Sequence, residues 1–282
     1  MKRDLKKDSN KVFLPNEKEA LQLVQTILNR RDIPFILVGA YARDLLFSGI
    51  SSKGSIRKTL DIDFGIRVRN WEAYEEIMMS LLAGGLFTED KSRRHRLIFK
   101  KEVLIDIVPF GKISDSEGNI SWPPEHDVSM NVKGFDVAYG NALDFDMGLK
   151  DKIKIASAPS LVLLKLIAWD ESPENRSHDL EDISFILKNY IDLIGWDSIN
   201  TRGDKDIYDI CDSDYDEMAA RITGRDIGRL NLCGLKDSLL GILSEKNKSY
   251  YQMISILGIY YFADHDLVRK IISSLRNGVN DI

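Results

Sequence analysis

Two aspartates spaced two residues apart, Asp61 and Asp63 in Thr59-Leu60-Asp61-Ile62-Asp63-Phe64, are the residues of this chain best placed to do chemistry. A strand has a side-chain period of two, so both carboxylates point to one face while Leu60, Ile62 and Phe64 point to the other. Aspartate is disfavoured in strands and neighbouring like charges repel, so the pair asks for a compensating cation, and a divalent metal is the natural one. A third carboxylate, Asp106, sits in Leu104-Ile105-Asp106-Ile107-Val108, a run whose two faces both read as buried. An isolated buried charge is expensive unless a metal or an ionic partner neutralises it. Asp61, Asp63 and Asp106 together offer hard oxygen ligands suited to Mg²⁺ or Mn²⁺, and ions held there can activate an attacking hydroxyl and stabilise a leaving phosphate oxygen. The plainer alternatives are a solvated edge strand for the first two and an arginine salt bridge for Asp106.

Other residues extend the set. Gly39-Ala40 falls between an apolar strand and a helix start, where backbone N–H groups and the helix dipole can hold a phosphate; ordinary turn chemistry is the alternative. Arg43, one helical turn on, could reach that phosphate or enter an internal ion pair, and its neighbour Asp44 is expected not to face it. His95 and Arg96 enter the strand that precedes the Asp106 strand and bring positive charge towards the carboxylates, whereas Arg93 and Arg94 read as a solvated loop. Lys165 stands alone in Leu161-Val162-Leu163-Leu164-Lys165-Leu166-Ile167-Ala168-Trp169 and wants an anion, unless its ammonium snorkels to water. Asp179 and Asp182, three residues apart, share a helix face and could orient Lys165 or bind substrate, with helix capping the rival role for Asp179. Asp212, Asp214 and Asp216 resemble the start of a calcium loop, but Glu217 stands where glycine is needed and Thr223 where the bidentate glutamate belongs, so capping is expected instead.

These residues need a scaffold. Apolar spacing predicts an opening helix over Glu17 to Arg31, a strand over Pro34 to Val38, a turn at Gly39-Ala40 and a helix from Tyr41 to Phe47. A Ser/Gly/Lys-rich loop, Ser48 to Lys58, precedes a strand over Leu60 to Val68 and a helix over Asn70 to Leu82. Arg96 to Lys100 and Val103 to Val108 form a hairpin; Gly134 to Ala138 and Lys152 to Ala156 are weaker strands. From Pro159 the pattern turns helical, over Pro159 to Trp169, Asp179 to Leu187, Asp216 to Ile222, Leu235 to Leu243 and Tyr250 to Phe262. The expected fold class is α+β, a short mixed sheet flanked by helices in residues 1–157 followed by an all-helical region in 158–282.

The 282 residues, with a net charge of −5 and 44% hydrophobic content, exclude wholesale disorder and a nucleic-acid-coating basic surface, leaving room only for a local basic patch. Met1 to Asn10 carries neither a signal-peptide nor a transit-peptide pattern, and the longest apolar run is too short to span a bilayer, so a cytoplasmic protein without a membrane partner is expected. Cys211 and Cys233 suggest neither a disulfide framework nor a zinc site.

The set Val38-Gly39-Ala40-x-Ala42-Arg43-Asp44, Thr59-Leu60-Asp61-Ile62-Asp63-Phe64, His95-Arg96-Leu97, Ile105-Asp106-Ile107-Val108-Pro109-Phe110-Gly111, Trp122-Pro123-Pro124 and Lys165-Leu166-x-Ala168-Trp169 resembles the bacterial AbiEii/AbiGii-type nucleotidyltransferases of the DNA polymerase β-like superfamily. The resemblance runs from about Phe35 to Tyr190. It implies a nucleotidyltransferase-type sheet and Mg²⁺-dependent transfer of a nucleoside monophosphate from an NTP to a hydroxyl on a tRNA end, a protein or a small molecule. In that scheme Asp61 and Asp63 bind metal and triphosphate, and Asp106 binds metal and deprotonates the acceptor. Gly39-Ala40 cradles phosphate with Arg43 nearby, and Lys165 contacts triphosphate with Asp179 or Asp182 as the downstream acid. His95 and Arg96 would touch acceptor or phosphate. Several relatives are toxins of toxin-antitoxin pairs, so a cognate antitoxin is an implied partner. Ala40 departs from the usual Gly or Ser and leaves the cradle to backbone groups. A fold-retaining binding protein without catalysis and a two-metal nuclease are the competing readings.

Overall fold

In the computed structural model, residues 5–6, 14–50, 59, 61–232, 234–261 and 263–282 are described. The predicted loop over 51–58, and Leu60, Cys233 and Phe262, lie outside them. The chain divides into two units: one holds the described residues up to Ser48 and from Thr59 to Ser157, the other Gly49, Ile50 and Ala158–Ile282.

The first unit is built on β1 (Leu5–Lys6), β2 (Phe35–Val38), β3 (Asp61–Arg67), β4 (Phe87–Glu89), β5 (Arg96–Phe99), β6 (Val103–Phe110), β7 (Asn119–Ser121), β8 (Ser129–Asn131), β9 (Leu143–Asp146) and β10 (Ile153–Ile155). Eight of these form one mixed sheet in the order β1-β9-β10-β2-β3-β6-β5-β4, and β7 and β8 pair separately. In the middle, β3 runs antiparallel to β2 and parallel to β6, in a register that sets Asp63 beside Asp106. The apolar alternation of β3 does what its period requires: Ile62 and Phe64 are fully buried, and the aspartates occupy the other face.

Helices α1 (Pro15–Arg30), α2 (Gly39–Phe47), α3 (Trp71–Leu82) and α4 (Phe135–Gly140) flank the sheet elements in sequence. Proline at the first position starts α1, where a missing N–H costs nothing, and Ala20, Leu21, Val24 and Leu28 form its buried stripe. Asn70 caps α3 by accepting from the Ala73 N–H at 3.1 Å. The expected strand over Gly134 to Ala138 is instead the helix α4. Gly134 turns the chain with φ +86°, after which Phe135 and Tyr139, four residues apart, lie on one side and both pack against Phe110 at 5.6 and 6.2 Å. Gly65 in β3 makes room for this helix, since a Cβ there would lie 2.8 Å from the Phe135 ring.

Among its described residues the second unit forms helices only: α5 (Ala158–Glu171), α6 (Ser177–Ile194), α7 (Trp196–Thr201), α8 (Ile207–Ile210), α9 (Tyr215–Gly228), α10 (Lys236–Ile242), α11 (Tyr250–Tyr261) and α12 (His265–Asn280). Helix α5 is apolar nearly all round and correspondingly buried, the expected fate of such a helix. Asp214 caps α9 by accepting from the Glu217 N–H at 2.9 Å, the capping role expected in place of calcium binding. No helix among the described residues is long and apolar enough to cross a membrane.

Candidate active site

Asp61, Asp63 and Asp106 converge. Each contributes a carboxylate oxygen, and the three oxygens lie within 4.8 Å of one another. Adjacent parallel strands place Asp63 directly beside Asp106, and the two-residue period returns Asp61 to the same face. Two oxygens bound opposite each other on one Mg²⁺ are separated by roughly 4.2 Å, so the set has the chemistry and nearly the spacing of a hard-cation site. Asp61 is about one-third exposed, whereas Asp106 is buried.

The neighbouring strand supplies a cation of its own. Arg96 pairs with Asp106 in the β5–β6 register, and its guanidinium forks onto the carboxylate, Nε donating to Oδ1 at 2.6 Å and Nη2 to Oδ2 at 2.7 Å. Nη2 also donates to Asp61 Oδ2 at 2.8 Å. Thr59 holds the other Asp61 oxygen, its hydroxyl donating to Oδ1 at 2.9 Å. The arginine salt bridge considered for Asp106 is therefore present, and it engages two of the three acids. His95 completes the arrangement, with Nε2 3.7 Å from Asp106 Oδ2 and its ring against Trp122 at 5.7 Å. Burial among these groups lowers the imidazole pKa and favours the neutral ring, although Asp106 opposes the shift.

Gly39 is tied to the triad by space. Its φ is +69°, and a Cβ there would lie 2.0 Å from Asp63 Oδ2, so only glycine allows this turn to sit against that carboxylate. Helix α2 starts at Gly39, and no side chain caps its first turn, leaving backbone donors beside Asp63. Ala40 is buried. Arg43 corrects an expectation: it does face Asp44, its Nε and Nη2 donating to Asp44 Oδ1 at 2.8 and 2.6 Å. The guanidinium is long enough to fold back along the helix surface, and with Arg43 only 2% exposed the adjacent carboxylate supplies its charge partner.

In the helical unit, Lys165 does not snorkel. Its ammonium is buried and donates to Asp179 Oδ1 at 2.9 Å, with Asp182 Oδ2 at 2.5 Å. Asp179 lies inside the first turn of α6 rather than at its cap, and Arg176 reaches it at 3.1 Å. Asp179 and Asp182 thus both pair with Lys165. Arg94 stays exposed in its loop, where it pairs with the exposed Glu125 at 2.9 Å and donates to the Pro123 carbonyl. Sequence reasoning misses Thr59 as the support for Asp61; its hydroxyl two residues before the first aspartate is the available signal.

No family model matches this chain, and no curated protein does. Among solved structures it is similar to an antigenic nucleotidyltransferase-like protein from Paracoccidioides brasiliensis, at 15% identity and a TM-score of 0.40 over 61% of this chain and 75% of that one. It is similar also to the antibiotic-resistance factor ANT(2'')-Ia, at 12% identity and a TM-score of 0.37 over 70% and 96%. A third is the Thermotoga maritima CCA-adding enzyme complexed with tRNA, at 15% identity and a TM-score of 0.29 over 95% and 72%. All three likenesses are distant, and the chemistry rests on the residues above.

Proposed function

We propose that the chain is a divalent-metal-dependent nucleotidyltransferase that moves a nucleoside monophosphate from an NTP to a hydroxyl acceptor. The observation that carries this reading is the convergence of Asp61, Asp63 and Asp106 beside the Gly39 turn. Asp61, Asp63 and Asp106 would hold Mg²⁺ or Mn²⁺, which when bound neutralises phosphate charge and acidifies the acceptor hydroxyl. The backbone N–H groups at the start of α2, where the helix dipole is positive, would bind the donor's phosphates from one side. The acceptor oxygen bonds to the α-phosphorus, the bond from that phosphorus to the bridging oxygen breaks, and pyrophosphate leaves. Asp106 takes the hydroxyl proton, a role that requires Arg96 to release at least one of its oxygens. Lys165 enters as a triphosphate contact only through the resemblance of its segment; its ammonium is paired with Asp179 and Asp182. A tRNA end, a protein or a small molecule would serve as acceptor, and a toxin role with a cognate antitoxin follows only from the resemblance.

One observation favours a second reading, a non-catalytic binding protein: Arg96 already neutralises Asp106 and touches Asp61. Incubation with each α-³²P-labelled NTP and Mg²⁺, in the presence of tRNA, protein extract or small-molecule acceptors, separates the two. Label transfer that disappears in Asp61→Ala/Asp63→Ala establishes the enzyme. Absence of transfer with every NTP, from a folded protein, favours the binding reading.

A further inference from the structure

The helical unit holds a cavity of about 650 Å³, the size range of a small-molecule site, between α9, α12 and the segment joining α10 to α11. Its walls carry Arg221, Lys246, Arg269, Lys270 and Arg276 against Glu217 and Glu245, three positive charges in excess on a chain whose total is −5. The excess follows from the pattern of α12. Val268, Ile271, Ile272, Leu275 and Val279 are buried and fix the helix's rotation, so Arg269, Ser273 and Arg276 fall on the remaining face and line the cavity.

The lining cations differ in how far they are engaged. Arg221 is spent on Asp281, with bonds at 2.8 and 2.7 Å. Arg269 pairs with the exposed Asp266, and Lys270 lies 3.9 Å from Glu217. Arg276 and Lys246 have no carboxylate partner among the described residues. Arg276 instead donates Nε to the Leu240 carbonyl at 3.2 Å, a bond that fixes the guanidinium plane while leaving both terminal amino groups for a ligand. A positioned guanidinium with open terminal donors matches the bidentate geometry of a phosphate. Buried Tyr250 adds an aromatic wall.

We propose that this cavity binds a phosphate-bearing ligand, with Arg276 as the fork and Lys246 as the second charge. The site lies wholly within the helical unit and is independent of the carboxylate triad. Its test uses the 282-residue chain carrying Asp61→Ala/Asp63→Ala, in EDTA, so that the outcome does not depend on the nucleotidyltransferase reading. Two probes are titrated: pyrophosphate by calorimetry, and short fluorescein-labelled single-stranded RNA by anisotropy. Binding is expected to weaken with salt and to fall about tenfold in Arg276→Gln/Lys246→Gln. Lys246→Gln alone changes an exposed side chain that the fold does not need, and should give a smaller loss in the same direction. Binding of both probes identifies phosphate itself as the ligand; binding of RNA alone identifies a polynucleotide backbone. Binding of neither, or affinities that both variants leave unchanged, overturns the proposal.

Discussion

Arg96 is where the two readings of the triad diverge, because its guanidinium occupies Asp106 on both oxygens and Asp61 on one. Removing one member of a buried, hydrogen-bonded pair typically costs about 3–5 kcal/mol, since the other charge is left without compensation. Arg96→Gln should therefore lose stability in EDTA. If Asp61, Asp63 and Asp106 hold a divalent ion, Mg²⁺ or Mn²⁺ should restore more of the melting temperature in the variant than it adds to the wild type, because the ion no longer competes with the arginine. Equal shifts in the two proteins would mean that Arg96 does not compete with the ion, and no shift in either would remove the metal from the argument. Gly39 offers a second lever at this scale. Gly39→Ala forces a methyl onto Asp63 in a backbone region alanine avoids, so metal-induced stabilisation should be lost and label transfer should fall by about two orders of magnitude. Retained transfer in Gly39→Ala would show that Asp63 need not occupy its present position.

The elements are legible in the sequence where one physical signal dominates. Strand β3 announces itself through its two-residue alternation, and α5 through an apolar run interrupted only by Lys165. Helix α4 reads locally as a strand because Val132, Phe135 and Val137 are strand-favouring residues, whereas its packing partner Phe110 is distant in sequence. Helix α12 falls in the region expected to be all-helical but is not picked out there as a separate helix: its polar residues dilute the composition, although its buried positions keep helical spacing. Among the site residues, the carboxylates are readable from spacing, whereas the Arg96 fork depends on the β5–β6 register, which sequence does not print. The α9–α12 crossing is equally hidden and yields a prediction. A Cβ at Gly224 would lie 2.1 Å from the Leu275 carbonyl oxygen, and one at Gly278 would lie 2.1 Å from that of Arg221. These obstacles are backbone, so the helices must separate to admit a methyl. Gly224→Ala should destabilise by about 1–3 kcal/mol despite alanine's better helix propensity, read as a lower denaturation midpoint. A neutral or stabilising change would mean that the crossing is looser than the contact distances indicate.

At the scale of the whole molecule, a chain with 44 acidic and 39 basic residues depends for its acid stability on where the carboxylates find partners. In the helical unit they are gathered by arginines of α9 and its C-terminal cap: Arg225 reaches Asp204 at 3.1 Å, Asp206 at 2.7 Å and Asp281 at 2.8 Å, and Arg229 reaches Asp204 at 2.9 Å. The network ties the segment before α8 and the last residues of the chain to one helix. Hydrogen bonding from Arg225 lowers the Asp206 pKa below the ordinary carboxylate value. Burial pushes Asp281 the other way, but the bonds from Arg221 and Arg225 outweigh it and its pKa is also lowered. A carboxylate whose folded pKa is depressed stabilises the fold fully above its unfolded pKa of about 3.9, and that contribution is lost as the pH falls through the folded value. Asp206 is more than half exposed, so its share is that of a surface pair, about 0.2–1 kcal/mol. Asp206→Asn should accordingly melt slightly below the wild type at pH 7, and the gap should close as the pH is lowered below about 4 and the wild-type carboxylate takes up its proton. Melting curves of both proteins across that range test the sign: a gap that persists unchanged into acid would mean that the substitution weakens the fold through packing, and that the arginine network is not what the chain loses first in acid.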